Sequence, residues 1–175
     1  MLANLLTTLR LLLIVPLVWV LAGAAGPDWL LLMIVVAAIA SDYFDGKIAR
    51  SRGTASARGM LFDHGSDFLF VSAGLFAAAS IHALTVLLPL LIVFAFSQYV
   101  LDSYFLFRQK QLRMNFLGRW NGVFYFSPLL LIALARLFGD PVWLGELIYW
   151  LAIALCLSTV ASIIDRSLAP RKLAG

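Results

Sequence analysis

Four aspartates, Asp42, Asp45, Asp63 and Asp67, stand within 26 residues of a strongly apolar chain. Asp42 and Asp45 are three residues apart and Asp63 and Asp67 four apart, spacings that put each pair on one face of a helix. Two helices, each offering two acids, are implied. Carboxylates gathered this closely repel one another, and desolvation at the edge of a bilayer adds to the cost, so the cluster persists only with cations or protons among it. Oxygen donors without a matching His or Cys cluster favour a hard cation, Mg²⁺ or Mn²⁺, over a structural Zn²⁺. The first reading is therefore metal-dependent phosphate chemistry. Gly46 and Gly59 belong to the same stretch, and the missing Cβ lets a ligand or a second helix come close to the backbone. Arg50, one turn beyond Gly46, offers a planar fork that can grip a phosphate through two hydrogen bonds.

The elements that must position these groups are membrane helices. Of the 175 residues 63% are hydrophobic and 13% charged, about half the charged share of a soluble domain. Each apolar run is close to the roughly 20 residues that cross a hydrocarbon core. The pattern predicts an all-α polytopic membrane protein, a single domain over residues 1–175, with six transmembrane helices near Leu5 to Ala22, Trp29 to Ala49, Arg58 to Ile81, Leu84 to Phe107, Trp120 to Phe138 and Val142 to Asp165. Gly26-Pro27-Asp28 and Gly139-Asp140-Pro141 are marked turns. Pro128 is expected to kink the fifth helix, since it lacks an N–H and clashes with the preceding turn.

Basic residues assign the sides. Arg10, the group Lys47, Arg50, Arg52 and Arg58, the group Arg108, Lys110, Arg113 and Arg119, and the terminal Arg166, Arg171 and Lys172 fall on one side, leaving Arg136 alone on the other. By the positive-inside rule the crowded side is cytoplasmic, with both termini and the four aspartates facing it. The expected location is the cell (inner) membrane. Leu11 to Leu21 with Arg10 in front also has the outline of a signal peptide, a reading set aside because the first ten residues have a better use. Cys156 is the single cysteine, so no internal disulfide is possible.

The run Asp42-x2-Asp45-Gly46-x2-Ala49-Arg50-x8-Gly59-x3-Asp63-x3-Asp67 resembles, at every specified position and at the family spacing, the signature of the CDP-alcohol phosphotransferases. The resemblance implies a six-helix bundle that moves a phosphatidyl or related phospho-alcohol group from a CDP-activated lipid, such as CDP-diacylglycerol, to a hydroxyl acceptor and releases CMP. It implies Asp42, Asp45 and Asp63 as ligands of a pair of Mg²⁺ or Mn²⁺ ions, with Asp67 touching the second metal and acting as general base. It implies Gly46, Ala49 and Gly59 as small positions against the nucleotide and Arg50 as a contact to its phosphates. Asn4-Leu-Leu-Thr7-Thr8-Leu-Arg10 resembles the family's opening Asn-x-Leu-Thr-x2-Arg stretch, a short interfacial segment in which Asn4 and Thr7 help to close the nucleotide pocket. The partners implied are the CDP-alcohol donor, a small hydroxyl acceptor, membrane lipids and a second copy in a homodimer. No nucleic acid is expected.

Other residues leave alternatives open. Ser56 is a donor-site hydroxyl or a plain loop serine. His64, between two implied ligands, reads as an orienting hydrogen-bond partner rather than a zinc ligand. Asp63-His-Gly-Ser-Asp67 is similar to the Asp-His-Gly-x-Asp form of choline and ethanolamine phosphotransferases. Asp102 lines a cavity or forms a structural ion pair, and Asp165 is functional or simply interfacial beside Arg166. The cluster Arg108, Lys110, Arg113 and Arg119 binds an acceptor phosphate or serves topology alone, with Arg119 the leading candidate of the four. A divalent-cation transporter explains the acids but gives no role to Gly46, Ala49, Arg50 and Gly59, and an inactive scaffold would not need all four aspartates.

Overall fold

A computed structural model of the chain describes residues 2–23, 26–51, 57–102 and 116–168. The described residues are all-helical. Seven helices run in order: α1 Leu2–Leu21, α2 Trp29–Ser51, α3 Ala57–Ser80, α4 Leu87–Leu101, α5 Phe116–Phe124, α6 Ser127–Leu137 and α7 Val142–Leu168. Apolar composition and turn residues locate these helices well. The segment Asn4 to Arg10, expected to be interfacial, is helical and continuous with the rest of α1 from Leu2.

The predicted fifth helix is broken into α5 and α6, and Pro128 explains where. Pro128 stands in the first turn of α6 and has no N–H to give to the carbonyl four residues back, that of Phe124. The hydroxyl of Ser127 donates to that carbonyl instead. The far end of α6 closes by a Schellman motif: Gly139, at φ +76°, donates to the Arg136 carbonyl at 3.2 Å, and Asp140 N–H to the Ala135 carbonyl at 2.7 Å. Among described helices, the α5 to α6 stretch and α7 are long and apolar enough to cross a membrane.

α1 packs against α2 and α3; α6 packs against α2, α3 and α7; and α4 and α5 lie on α7. Leu17, Leu21, Leu31, Val35, Phe70 and Leu129 are among the side chains at the centre. The exterior is as apolar as the interior: Trp19, Phe94, Val142, Trp143, Trp150 and Leu157 are all exposed, an arrangement suited to hydrocarbon rather than water. At the end of α1, Arg136 of α6 donates from Nη1 to the Val20 carbonyl at 3.0 Å and from Nη2 to that of Leu21 at 3.4 Å. A cation there also opposes the negative end of the helix dipole.

Gly74 marks where α3 meets α1 and α6. A Cβ on it would stand 2.8 Å from both Leu17 and Leu129 methyl carbons, and both leucines are buried. Gly74→Leu is expected to lower stability by about 1–3 kcal/mol through overpacking, read as a lower unfolding temperature in detergent; an unchanged temperature would show that the three helices can part freely.

Candidate active site

Asp42 near the end of α2, and Asp63 and Asp67 in α3, converge on a residue from α1. Arg10 is fully buried. Its Nη1 donates to Asp63 Oδ1 at 3.2 Å, to Ser66 Oγ at 2.9 Å and to Asp67 Oδ1, and its Nη2 reaches Asp42 Oδ1 at 3.4 Å. Ser66 can accept because its own proton goes to the Asp63 carbonyl, 2.8 Å away. The local sequence makes this meeting possible. Asp63 and Asp67 are one turn apart and Ser66 lies between them, so one face of α3 carries all three, and Thr7, three residues before Arg10, is buried on α1.

Donor atoms of Asp63, His64 and Asp67 lie within 4.8 Å of one another. His64, expected as an orienting partner, therefore stands close enough to serve as a ligand. Of the other expected residues, Gly59 is half-buried in the first turn of α3. The side chains of Asn4, Asp45, Ala49 and Arg50, and the Cα side of Gly46, lie outside the described residues, as does Ser56 altogether.

Beside the carboxylates opens a cavity of about 890 Å³ walled by α2 through α7. Asp42, His64 and Asp67 form one part of its lining, and Gln98, Arg119, Ser162 and Arg166 another. Phe68, Phe96 and Phe126 belong to its broad apolar wall, with Phe68 and Phe96 stacked at 4.1 Å between centroids. Arg108, Lys110 and Arg113 lie outside the described residues. Asp102 is not part of the wall; it ends α4.

Sequence reasoning gave no role to the contacts that fasten α7. Tyr125 and Thr159 hydroxyls are 2.8 Å apart, and Thr159 donates to the Leu155 carbonyl, so Tyr125 is the donor between them. Ser158 donates to Asn121 Oδ1 at 2.6 Å. These bonds hold the broken helix against α7 beside the cavity, and only the placing of hydroxyls on a long apolar helix hinted at them.

The family model for CDP-alcohol phosphatidyltransferase matches residues 1–161. The chain belongs to this family. No curated protein matches it. Family membership, together with the apolar helices, makes it a membrane protein and a phosphate-group transferase of phospholipid biosynthesis.

The residues of this family member fit a divalent metal. Among the described side chains, Asp42, Asp63 and Asp67 face one guanidinium, so carboxylate charge is left over, and the donor set is oxygen-rich, as Mg²⁺ or Mn²⁺ prefers. Removing Arg10 would expose the three acids to one another. Arg10→Ala is expected to cost about 3 kcal/mol, the lower end for a broken buried pair because Asp42 is half-exposed, and Mg²⁺ should recover part of the loss. Thermal unfolding with EDTA and with Mg²⁺ measures both effects; equal unfolding temperatures for the variant and the parent would remove Arg10 from that role.

Proposed function

We propose that this protein transfers a phosphatidyl, or related phospho-alcohol, group from a CDP-alcohol such as CDP-diacylglycerol to the hydroxyl of a small acceptor, with release of CMP. The observation that carries the reading is the convergence of Asp42, Asp63 and Asp67 on Arg10, with Asp42 and Asp67 at the edge of a large, mostly apolar cavity. A lipid-linked substrate needs both halves of that environment, an apolar space for the chains and a polar site for the phosphates.

In this reading Asp42, Asp45, Asp63 and Asp67 hold divalent ions, two per site, with His64 close by. Bound there, Mg²⁺ or Mn²⁺ would neutralise the pyrophosphate and stabilise the departing CMP. Asp67, which lines the cavity, receives the proton of the acceptor hydroxyl as its oxygen attacks the phosphorus that carries the lipid alcohol, and the bond from that phosphorus to CMP breaks. Arg10 keeps the carboxylates of α2 and α3 in register. Asn4, Thr7, Gly46, Ala49, Arg50, Ser56 and Gly59 are assigned to the nucleotide side, on the resemblance of their positions to the family pattern. The six-span topology with a cytoplasmic site, and a homodimer, follow from the charge distribution and the family resemblance respectively.

A cation channel is disfavoured by Arg10, because a buried guanidinium among the carboxylates blocks the passage of ions by charge and by volume. The test is Asp67→Asn in purified protein with CDP-diacylglycerol, Mg²⁺ and a panel of hydroxyl acceptors. CMP release should fall by about 10²-fold or more, the usual worth of a general base, while binding of the CDP-lipid persists. Full turnover by the variant would remove Asp67 from the base role.

A further inference from the structure

A second, smaller cavity lies where the end of α1, the approach to α2 and the turn from α6 to α7 meet. Its volume is about 230 Å³, and Val20, Leu31, Asp28, Arg136 and Asp140 are among the residues that line it. Arg10 and the carboxylates it holds take no part in the lining, and no step of the transferase reading uses this space. Sites for drug-sized ligands begin at roughly 300 Å³, so the cavity suits a smaller group.

Its charges are mixed. Arg136 spends two N–H groups on the Val20 and Leu21 carbonyls, and a guanidinium has others to give. Among the described residues no ion pair joins it to Asp28 or Asp140, although all three line one space. Capping α1 explains an arginine here. It does not explain two carboxylates that share the cavity with the guanidinium without closing on it.

The three charges narrow the occupant. A bare cation would meet Arg136, and two aspartates offer fewer oxygens than Ca²⁺ or Mg²⁺ takes from a dedicated protein site. A bare anion would meet the acids. A ligand that carries both charges finds a complement for each: a phosphate suits the guanidinium fork, and a primary ammonium, which has three N–H donors, suits the carboxylates.

The surroundings indicate where such a ligand would come from. Trp29 follows Asp28 directly at the start of α2, and Phe138 and Trp143 flank Gly139-Asp140-Pro141 between α6 and α7. All three rings are more than half exposed. Exposed tryptophans at the ends of membrane helices sit at headgroup level, so the cavity lies at the depth of lipid phosphates.

We propose that this cavity binds an aminoalkyl phosphodiester, the headgroup of phosphatidylethanolamine or the same group in a soluble ester, with its phosphate on the remaining N–H groups of Arg136 and its ammonium between Asp28 and Asp140. The site is separate from the transferase centre and stands or falls without it. Because Arg136 also holds the last carbonyls of α1, a bound headgroup ties α1 and α6 to the two turns, and binding raises the stability of the fold.

The experiment is thermal unfolding of the purified full chain in mixed micelles, with native mass spectrometry to count retained lipid. Phosphatidylethanolamine, phosphatidylcholine, phosphatidylglycerol and soluble glycerophosphoethanolamine are titrated separately. Phosphatidylethanolamine should bind about two- to fivefold more tightly than phosphatidylcholine, whose quaternary ammonium has no N–H to give, and than phosphatidylglycerol, which has no cation. It should also give the largest rise in unfolding temperature. A rise with the soluble ester identifies the free phosphodiester as a ligand, and a rise with the lipid alone identifies a headgroup anchored by its chains; either carries the proposal.

Asp28→Asn combined with Asp140→Asn should abolish the preference for the ethanolamine headgroup. Asparagine can still cap a helix start, and it tolerates the φ of +52° found at Asp140. Should the double variant fold poorly, Asp140→Asn alone should halve the preference or better. Arg136→Lys, which keeps a cation at the end of α1 but loses the fork, should weaken phosphatidylethanolamine by a similar factor. Asp67→Asn should leave the preference intact. Equal binding of the three lipids, a preference that survives both Asn substitutions, or one that is lost with Asp67→Asn and so belongs to the large cavity, would each overturn the assignment and leave the transferase reading untouched.

Discussion

A guanidinium with no access to solvent, bound to acids on two other helices, sets the terms for the whole molecule. Helices α2 and α3 bring like charges together, and α1 supplies the cation that lets them stay. Among the described side chains one positive charge faces three negative ones, so the site is held together yet still hungry for cations. That imbalance is what a resident counter-charge should leave if metal is to bind: enough attraction to keep the acids aimed inward, and enough residual charge to draw an ion from water.

The sequence made much of this legible, for reasons that can be named. Apolar runs bounded by Gly26-Pro27 and Gly139-Asp140-Pro141 gave the helix positions, and Pro128 gave the break between α5 and α6. Family membership could be read from the spacing of eight residues between Asp42 and Asp67. Arg10 was harder to read. An arginine in a membrane helix serves topology by default, and the Asn-x-Leu-Thr-x2-Arg stretch that Arg10 closes does not say whether it faces headgroups or turns into the protein. Arg166 was obscured in the same way, since facing a cavity depends on how α7 is rotated against α4. That rotation is fixed by contacts such as Gln98 to Ser167, 69 residues apart, beyond the reach of any local periodicity. The closeness of His64 to Asp63 and Asp67 could not be read either, because a lone histidine among acids carries no spacing signal of its own.

The cavity joins two solvents within one space. Its apolar wall belongs to Phe68, Phe96 and Phe126, and its polar lining to acids at one part and arginines at another. A reaction between a lipid-linked donor and a water-soluble or headgroup acceptor requires such a boundary inside the protein, because neither reactant is at home where the other is stable. The broken fifth helix contributes here: Tyr125 and Phe126, at the gap between α5 and α6, both wall the cavity, where a straight helix would present a different set of side chains.

Two arginines that fix α1 also act as a gauge. At its middle its own Arg10 is locked to the acids of α2 and α3, and at its end the last carbonyls are gripped by Arg136 from α6. Leu21 stands eleven positions beyond Arg10, about 17 Å along the helix. A slip of a single residue would shift α1 by about 1.5 Å and turn it by roughly 100°, carrying Arg10 out of reach of the acids and the carbonyls out of reach of Arg136 in the same movement. The depth at which the cation meets the aspartates is thus measured from the far end of the helix, and α1 behaves as a bolt held at two points rather than as a helix merely packed in place.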